Sequence, residues 1–293
     1  MKDLYSACEL CMRRCGVDRN SGSVGFCKCN AEMTVSRCDL HMWEEPIISG
    51  EKGSGTIFFS GCSLGCIFCQ NSKISRSQVG ESVTPDELAH MMLSLQKRGA
   101  HNINFVTPTH FAPSIVSSVA LAKEKGLDIP IVYNTGTYDA ESTIRLLDGT
   151  VDVYLPDFKY YLSRSAEKLS NAKDYPDVSR KAIELMVKQR GAPIIKDGLM
   201  KSGVVVRVLL LPQHVAEAKL SLKYLYNTYG DDIYISIMSQ YTPIGNVPSP
   251  LDRKITRGEY EQICDYAVSL GIKNAFVQEL TSATEAYIPD FKI

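Results

Sequence analysis

The sequence predicts an α/β domain on a mostly parallel sheet, preceded by a small cysteine-rich appendage. Two observations carry the first half of that reading. From about residue 55, short β-branched runs alternate with amphipathic stretches, the order of repeated strand-helix units. The runs are also near-continuously apolar, as in a sheet covered on both faces. A third observation concerns the N-terminal part: nine of the ten cysteines precede residue 70, and residues 1–54 are turn-rich ("DRNSGSVG") and short of periodicity. The expected division is therefore an appendage over 1–54, held by metal rather than by a core of its own, and a core over 55–293.

In chain order, the expected strands are 55–60 (GTIFFS), 102–106 (NINFV), 130–134 (PIVYN), 151–155 (VDVYL), 203–211 (GVVVRVLLL) and 233–238 (IYISIM). The first helix starts legibly: Thr84-Pro85-Asp86-Glu87 offers a capping box with proline in the first turn, and Leu88, Met91, Met92 and Leu95 follow at helical spacing. Further helices are expected over 114–126, 139–147, 177–190 and 214–228. Thr256 and Glu259 repeat the box before Tyr260, Ile263, Ala267 and Leu270, and Gly271 ends that helix. Six such units fit a doubly wound sheet or an incomplete barrel, and both place ligands at the C-terminal ends of the strands.

At 44% hydrophobic over 293 residues the chain can bury a large core without staples. Thirty-two basic against 33 acidic residues leave no global field to draw it to nucleic acid or to an anionic membrane. With no signal-peptide-like apolar stretch near the start and no run of roughly 18 apolar residues, a cytoplasmic protein is expected. There, clustered cysteines bind metal or do redox chemistry more often than they form disulfides. Cys264 stands apart on a helix face and reads as a small buried thiol.

The stretch "FSGCSLGCIFCQN" (59–71) begins where the first expected strand ends and holds Cys62, Cys66 and Cys69. Soft thiolates select zinc or iron-sulfur clusters. A closed zinc site wants four ligands, and three on one loop leave a metal position open. Cys-x3-Cys-x2-Cys, with Phe68 before the third cysteine and a strand before the first, resembles the signature of the radical S-adenosylmethionine enzymes. The resemblance implies a partial (β/α)6 barrel and a [4Fe-4S] cluster on Cys62, Cys66 and Cys69 whose fourth iron binds S-adenosylmethionine. It further implies a reductant such as flavodoxin or ferredoxin, reductive cleavage to a 5′-deoxyadenosyl radical, and abstraction of hydrogen from a substrate. Phe68 would lie near the adenine.

"VDVYLPDFKYY" places Asp157, Phe158 and Lys159 just past the fourth expected strand. The element resembles the Asp-Leu-Lys of the pyruvate formate-lyase activating enzymes, which implies that Lys159 meets the methionine carboxylate. Asp-Phe-Lys recurs at 290–292 without a preceding strand, so position rather than the tripeptide carries the argument. Where many of those relatives have Gly-Gly-Glu, this chain has Thr107-Pro108-Thr109-His110; Thr107, Thr109 and His110 would supply donors and acceptors instead, a form similar to the activating-enzyme-related subgroup. Asn134, in "YNTGTYD", would bond cofactor or substrate. Arg207, isolated in "VVVRVLLL", needs a carboxylate partner, for which the cofactor is one candidate. Gln213, His214, Gln240 and Tyr241 fall at the same edge of the sheet.

Cys8-x2-Cys11-x3-Cys15 with Cys27 forms the most economical second ligand set, suited to zinc or to a second [4Fe-4S] cluster. Cys29, Cys38 and His41 are left over. His90 and His101 read as surface or packing residues. The expected function is hydrogen abstraction from a protein or peptide substrate in the manner of a glycyl-radical activase. The alternatives are radical modification of a small molecule or of RNA, the latter disfavoured by the lack of a basic patch, and a non-catalytic iron-sulfur or zinc protein.

Overall fold

The computed structural model describes residues 3–278 and Phe291. In chain order its elements are β1 (Met33–His41), α1 (Pro46–Ser49), β2 (Ser54–Phe59), α2 (Ser72–Ser75), β3 (Glu81–Val83), α3 (Pro85–Lys97), β4 (Ile103–Val106), α4 (Ala112–Glu124), β5 (Ile131–Thr135) and α5 (Glu141–Leu146). There follow β6 (Val153–Pro156), α6 (Ser163–Ser170), α7 (Tyr175–Arg190), β7 (Ile194–Lys196), β8 (Leu199–Leu209), α8 (Val215–Tyr229), β9 (Tyr234–Met238), α9 (Arg257–Ser269) and β10 (Ala275–Val277). All six expected strands form, as β2, β4, β5, β6, β8 and β9. Both capping boxes close: the Thr84 and Thr256 hydroxyls accept from the Glu87 and Glu259 amides, and each glutamate returns the bond.

The sheet runs in the order β10-β9-β8-β6-β5-β4-β2-β1-β3. From β2 to β10 every neighbouring pair is parallel. β1 and β3 extend one end in antiparallel pairs, and β7 lies antiparallel on β8. The two ends do not pair with each other among the described residues, so the sheet is an incomplete barrel.

Alternation along the strands divides the interior in two. Val204, Val206 and Val208 of β8 join Ile235 and Ile237 of β9 against Ile183, Met186 and Leu222 of the covering helices. The intervening residues face the lumen, where Val132, Val153, Leu155 and Val205 close around Ile48 of α1. His41 pairs with Ser54, the first residue of β2. The connection that carries α1 therefore lies at the N-terminal edge of the parallel strands, and Ile48 plugs the barrel there.

The boundary expected at residue 54 does not coincide with a break in packing. β1 pairs with β2 from Val35 to His41, and α1 fills the lumen, so residues 33–54 are built into the barrel. Composition hid this because Arg37 and Asp39 break the apolar alternation of β1 on its half-exposed face. Residues 3–32 do have a small cluster of their own, Tyr5, Cys8 and Leu10. They also dock on the core: the Met12 amide donates to the Tyr138 carbonyl (3.2 Å), and the Ala140 amide and Thr143 hydroxyl donate to the Leu10 carbonyl (3.2 and 2.7 Å). No helix among the described residues is long and apolar enough to cross a membrane.

If Ile48 is the plug that closes the barrel, Ile48→Ala lowers the unfolding free energy by about 2–5 kcal/mol, the range for a fully buried aliphatic truncation. Urea titration reads this as a lower midpoint at unchanged slope; a loss under about 1 kcal/mol would mean that the lumen collapses around the gap.

Candidate active site

The C-terminal strand ends surround a cavity of about 210 Å³. Its rim carries Cys62, Cys66, Phe68 and Cys69 after β2, Thr107 and Thr109 after β4, Asn134 and Gly136 at β5, Asp157 and Lys159 after β6, Arg207 on β8 and Gln240 after β9. The residues expected at this strand edge are thus brought to one site, with four exceptions. His110 lies behind the cysteine loop, and Gln213 and His214 lie outside the rim. Tyr241 stands one layer back, where its hydroxyl donates to the Leu251 carbonyl at 2.6 Å.

The cysteine loop is fixed by its backbone. Gly61 adopts φ +82°, and a Cβ there would sit 2.5 Å from the Cys27 carbonyl, so the turn into Cys62 requires glycine. The Gly61 amide donates to Ile74 O (2.8 Å) and the Ile67 amide to Leu169 O (2.9 Å). Phe68 is buried edge-on against Tyr160 and Tyr241, with centroids 6.3 and 6.1 Å away.

A brace that sequence reasoning missed is Arg13, from within the Cys11-x3-Cys15 stretch. Its guanidinium donates to the carbonyls of Ser63 (3.0 Å), Leu64 (2.9 Å), Ser170 (2.8 Å) and Asn171 (2.5 Å). It also lies over the rings of Phe26 and Tyr138, 3.8 and 5.1 Å from their centroids. One planar fork therefore ties the cysteine loop to the end of α6.

Below the rim, Arg207 is the hub of a buried polar network. It donates to Asp157 (2.7 Å), to Asn134 Oδ1 (2.5 Å) and to Glu44 (3.3 Å), while Lys159 bonds the other Asp157 oxygen at 2.6 Å. Asn104 and Asn134 donate to the second Glu44 oxygen at 3.0 and 3.3 Å. Arg207 thus finds its carboxylates within the chain, and Asn134 spends its side chain on Arg207 and Glu44. Burial works against the charge of Asp157, but Arg207 and Lys159 together hold its carboxyl below the usual range. Burial likewise opposes the Lys159 charge, and Asp157 and the Cys66 sulfur outweigh it, raising its pKa. Sequence reasoning missed Glu44, which faces Arg207 across 163 positions; no local pattern signals such a pair.

Thr107 adopts φ +57°, an unusual conformation for a β-branched residue, with its amide on Asn134 O at 2.9 Å. Thr109 is buried against the Thr135 hydroxyl at 3.4 Å. The His110 ring instead bonds the Ser60 carbonyl at 2.7 Å, and the His110 carbonyl accepts from Arg19. His110 therefore supports the loop from behind instead of facing the cavity.

Burial pushes the Cys62 thiol up to about 12, with the sulfurs of Cys69 and Cys66 adding to the shift, so a cation would be needed to hold the thiolates. In the N-terminal set, burial pushes the Cys11 thiol up to about 12 and the sulfurs of Cys27, Cys15 and Cys8 add to the shift. Cys8, Cys11 and Cys27 are buried and Cys15 is exposed. Cys29, fully buried, donates to Ser60 O at 3.3 Å, Cys38 lies in β1, and Cys264 is half-buried on α9. Among the described residues no three such side chains converge closely enough to hold an ion as they stand.

Residues 56–206, just over half of the chain, match the model of the family described as the Radical SAM superfamily. The chain belongs to the radical SAM superfamily. A protein of Methanocaldococcus jannaschii, described as uncharacterized, is 30% identical over 91% of this chain and 75% of its own. Among solved structures, HydG, a maturase of the [FeFe]-hydrogenase, matches with TM-score 0.55 and 14% identity over 79% of this chain and 53% of HydG. Streptococcus suis SuiB bound to S-adenosylmethionine matches with TM-score 0.51 and 13% identity over 76% of this chain and 49% of SuiB. The chain therefore spans about half the length of these two proteins, which share its fold. Radical SAM proteins use a [4Fe-4S] cluster and S-adenosylmethionine, and the donor set fits: three soft ligands on one loop, open to a cavity with Lys159 and Asp157 on its wall.

If Arg13 holds the cysteine loop in its binding form, Arg13→Ala and Arg13→Lys retain the reconstituted cluster at least about tenfold less well than wild type, the scale of outer-shell losses at metal sites. Iron retention against a chelator reads this, with the exposed Arg14→Ala as control. Equal retention in all four proteins would make Arg13 a surface staple only.

Proposed function

We propose that this radical SAM enzyme abstracts hydrogen from a protein or peptide substrate, with activation of a glycyl radical enzyme as the nearest example. The observation that carries the reading is the meeting of Cys62, Cys66 and Cys69 with the Asp157–Lys159 pair around one cavity. The incomplete sheet supports a substrate larger than the cavity, and SuiB, of similar fold, has been solved bound to its precursor peptide SuiA.

Hydrogen-atom abstraction is the chemistry that the cluster and S-adenosylmethionine supply when bound. The chain's own residues bind and orient. Cys62, Cys66 and Cys69 would hold three irons, and Phe68 would flank the adenine. Lys159, aimed by Asp157, would meet the methionine carboxylate as a point charge. Thr107 and Thr109 offer polar groups on the opposite rim, while Asn134 and Arg207, already paired, form the wall. At the N-terminal part, Cys8, Cys11, Cys15 and Cys27 would hold zinc or a second [4Fe-4S] cluster. A reductant such as flavodoxin or ferredoxin would deliver the electron.

Anaerobically reconstituted, dithionite-reduced protein should form 5′-deoxyadenosine from S-adenosylmethionine, and Cys62→Ala should form none. Full activity in that variant would sink the assignment. Offered extract from deuterium-grown cells, the enzyme should take up deuterium into 5′-deoxyadenosine from the macromolecular fraction; uptake confined to the small-molecule fraction would overturn the protein or peptide reading.

The N-terminal site has a separate test. With Cys62, Cys66 and Cys69 all replaced by Ala, the protein should keep about one zinc or about four irons per chain and lose them on adding Cys11→Ala. A triple variant that binds no metal would leave the N-terminal cysteines structural.

A further inference from the structure

Resting on the reading of this cavity as the radical SAM site, we propose that its far end, opposite the cysteines, is a subsite for a cationic group of the substrate, an ammonium or a guanidinium. Glu44 and Glu45 line that end from the connection between β1 and α1. Glu45 is 7% exposed, and its Oε2 has no hydrogen-bond partner. Beneath the lining, Asn104 is fully buried and donates its amide nitrogen to Glu44, which holds the neighbouring carboxylate in place.

A buried carboxylate oxygen without a donor is costly unless something donates to it. The charges point the same way: among the described residues that line the cavity, the carboxylates are Glu44, Glu45 and Asp157, and the ammonium and guanidinium groups are those of Lys159 and Arg207. Arg207 has committed its Nε and both terminal nitrogens to Asp157, Glu44 and Asn134, and Lys159 is held by Asp157. Burial raises the Glu45 pKa and the charge of Arg207, with the Ser236 hydroxyl, works against that, but neither cation can bond the free oxygen without breaking a buried pair. A ligand that brings N–H donors and one positive charge satisfies the free Glu45 oxygen and balances the lumen. A carboxylate or phosphate would face Glu45 with like charge.

The ammonium of S-adenosylmethionine is the other source of such a group, and competition separates the two. Cluster-loaded protein, with and without saturating S-adenosylmethionine, is titrated calorimetrically with acetyl-arginine amide, acetyl-lysine amide, the neutral isostere acetyl-citrulline amide and acetyl-glutamate amide. The expected result is that at least one cation binds at least tenfold more tightly than the citrulline and glutamate amides, with S-adenosylmethionine present, and that Glu45→Gln removes the preference.

Equal affinities in wild type, or no binding at all, would mean that water alone fills the hollow and would overturn the proposal. Displacement of the cation by S-adenosylmethionine would assign the Glu45 oxygen to the cofactor and overturn it equally. The wild-type comparison stands even if Glu45→Gln does not fold. Formation of 5′-deoxyadenosine, measured on the same preparation, keeps the two readings apart: cleavage without cation preference sinks the subsite alone, and preference without cleavage sinks the proposed chemistry.

Discussion

A buried guanidinium organises this barrel. Arg207 lies on the lumen face of β8, where burial opposes its charge, and it is tolerated because Asp157 after β6, Asn134 on β5 and Glu44 from the β1–α1 connection converge on it. Removing one partner from such a set leaves an uncompensated charge, an effect of roughly 3–5 kcal/mol. The network therefore fixes the mutual placement of three strands and of the connection that plugs the barrel. Lys159 inherits its position, since the Asp157 carboxylate that faces Arg207 with one oxygen holds the ammonium with the other.

The N-terminal residues do for the cysteine loop what Arg207 does for the lumen. Arg19, 1% exposed, donates to the carbonyls of Cys29 (3.2 Å), Asn30 (2.5 Å) and His110, and lies over the rings of Tyr5 and Phe111. Cys29 and His110 both reach the Ser60 carbonyl, just before the loop. Arg13 grips the loop itself at Ser63 and Leu64. A loop that must present three sulfurs to one cluster cannot rely on its own turns, and here it is braced by donors on both sides. The cysteine-rich segment is thus part of the architecture of the candidate site.

The repeating part of the fold was legible because strand and helix periodicity are local properties. The apolar runs became β2, β4, β5, β6, β8 and β9, and the two capping boxes began α3 and α9. β1 was not legible, since an outer strand with Arg37 and Asp39 facing solvent lacks the apolar run that marks a central one. The cysteine loop was readable from its spacing. The requirement that Arg207 have a carboxylate was readable too, but not which one, because Glu44 and Asn134 are neighbours only after the sheet curls. Arg13 shows the same limit: it lies 157 residues from Ser170, and nothing in "CMRRC" distinguishes it from Arg14. The second Asp-Phe-Lys, at 290–292, lies outside the described residues except for Phe291, which packs edge-on against Phe58 with centroids 5.5 Å apart.

The open sheet bears on how a substrate reaches this site. β3 and β10 are three residues each and do not pair with each other, so among the described residues no strand closes that side of the lumen. Trp43, 56% exposed, lines the cavity together with Gln278 just past β10. Glu44 and Glu45 line the cavity from the connection that also carries Trp43, while the cysteines line it from the loop after β2. The Arg207 network joins these two parts of the lining, since it bonds Glu44 on one side and, through Asp157, holds Lys159 on the other.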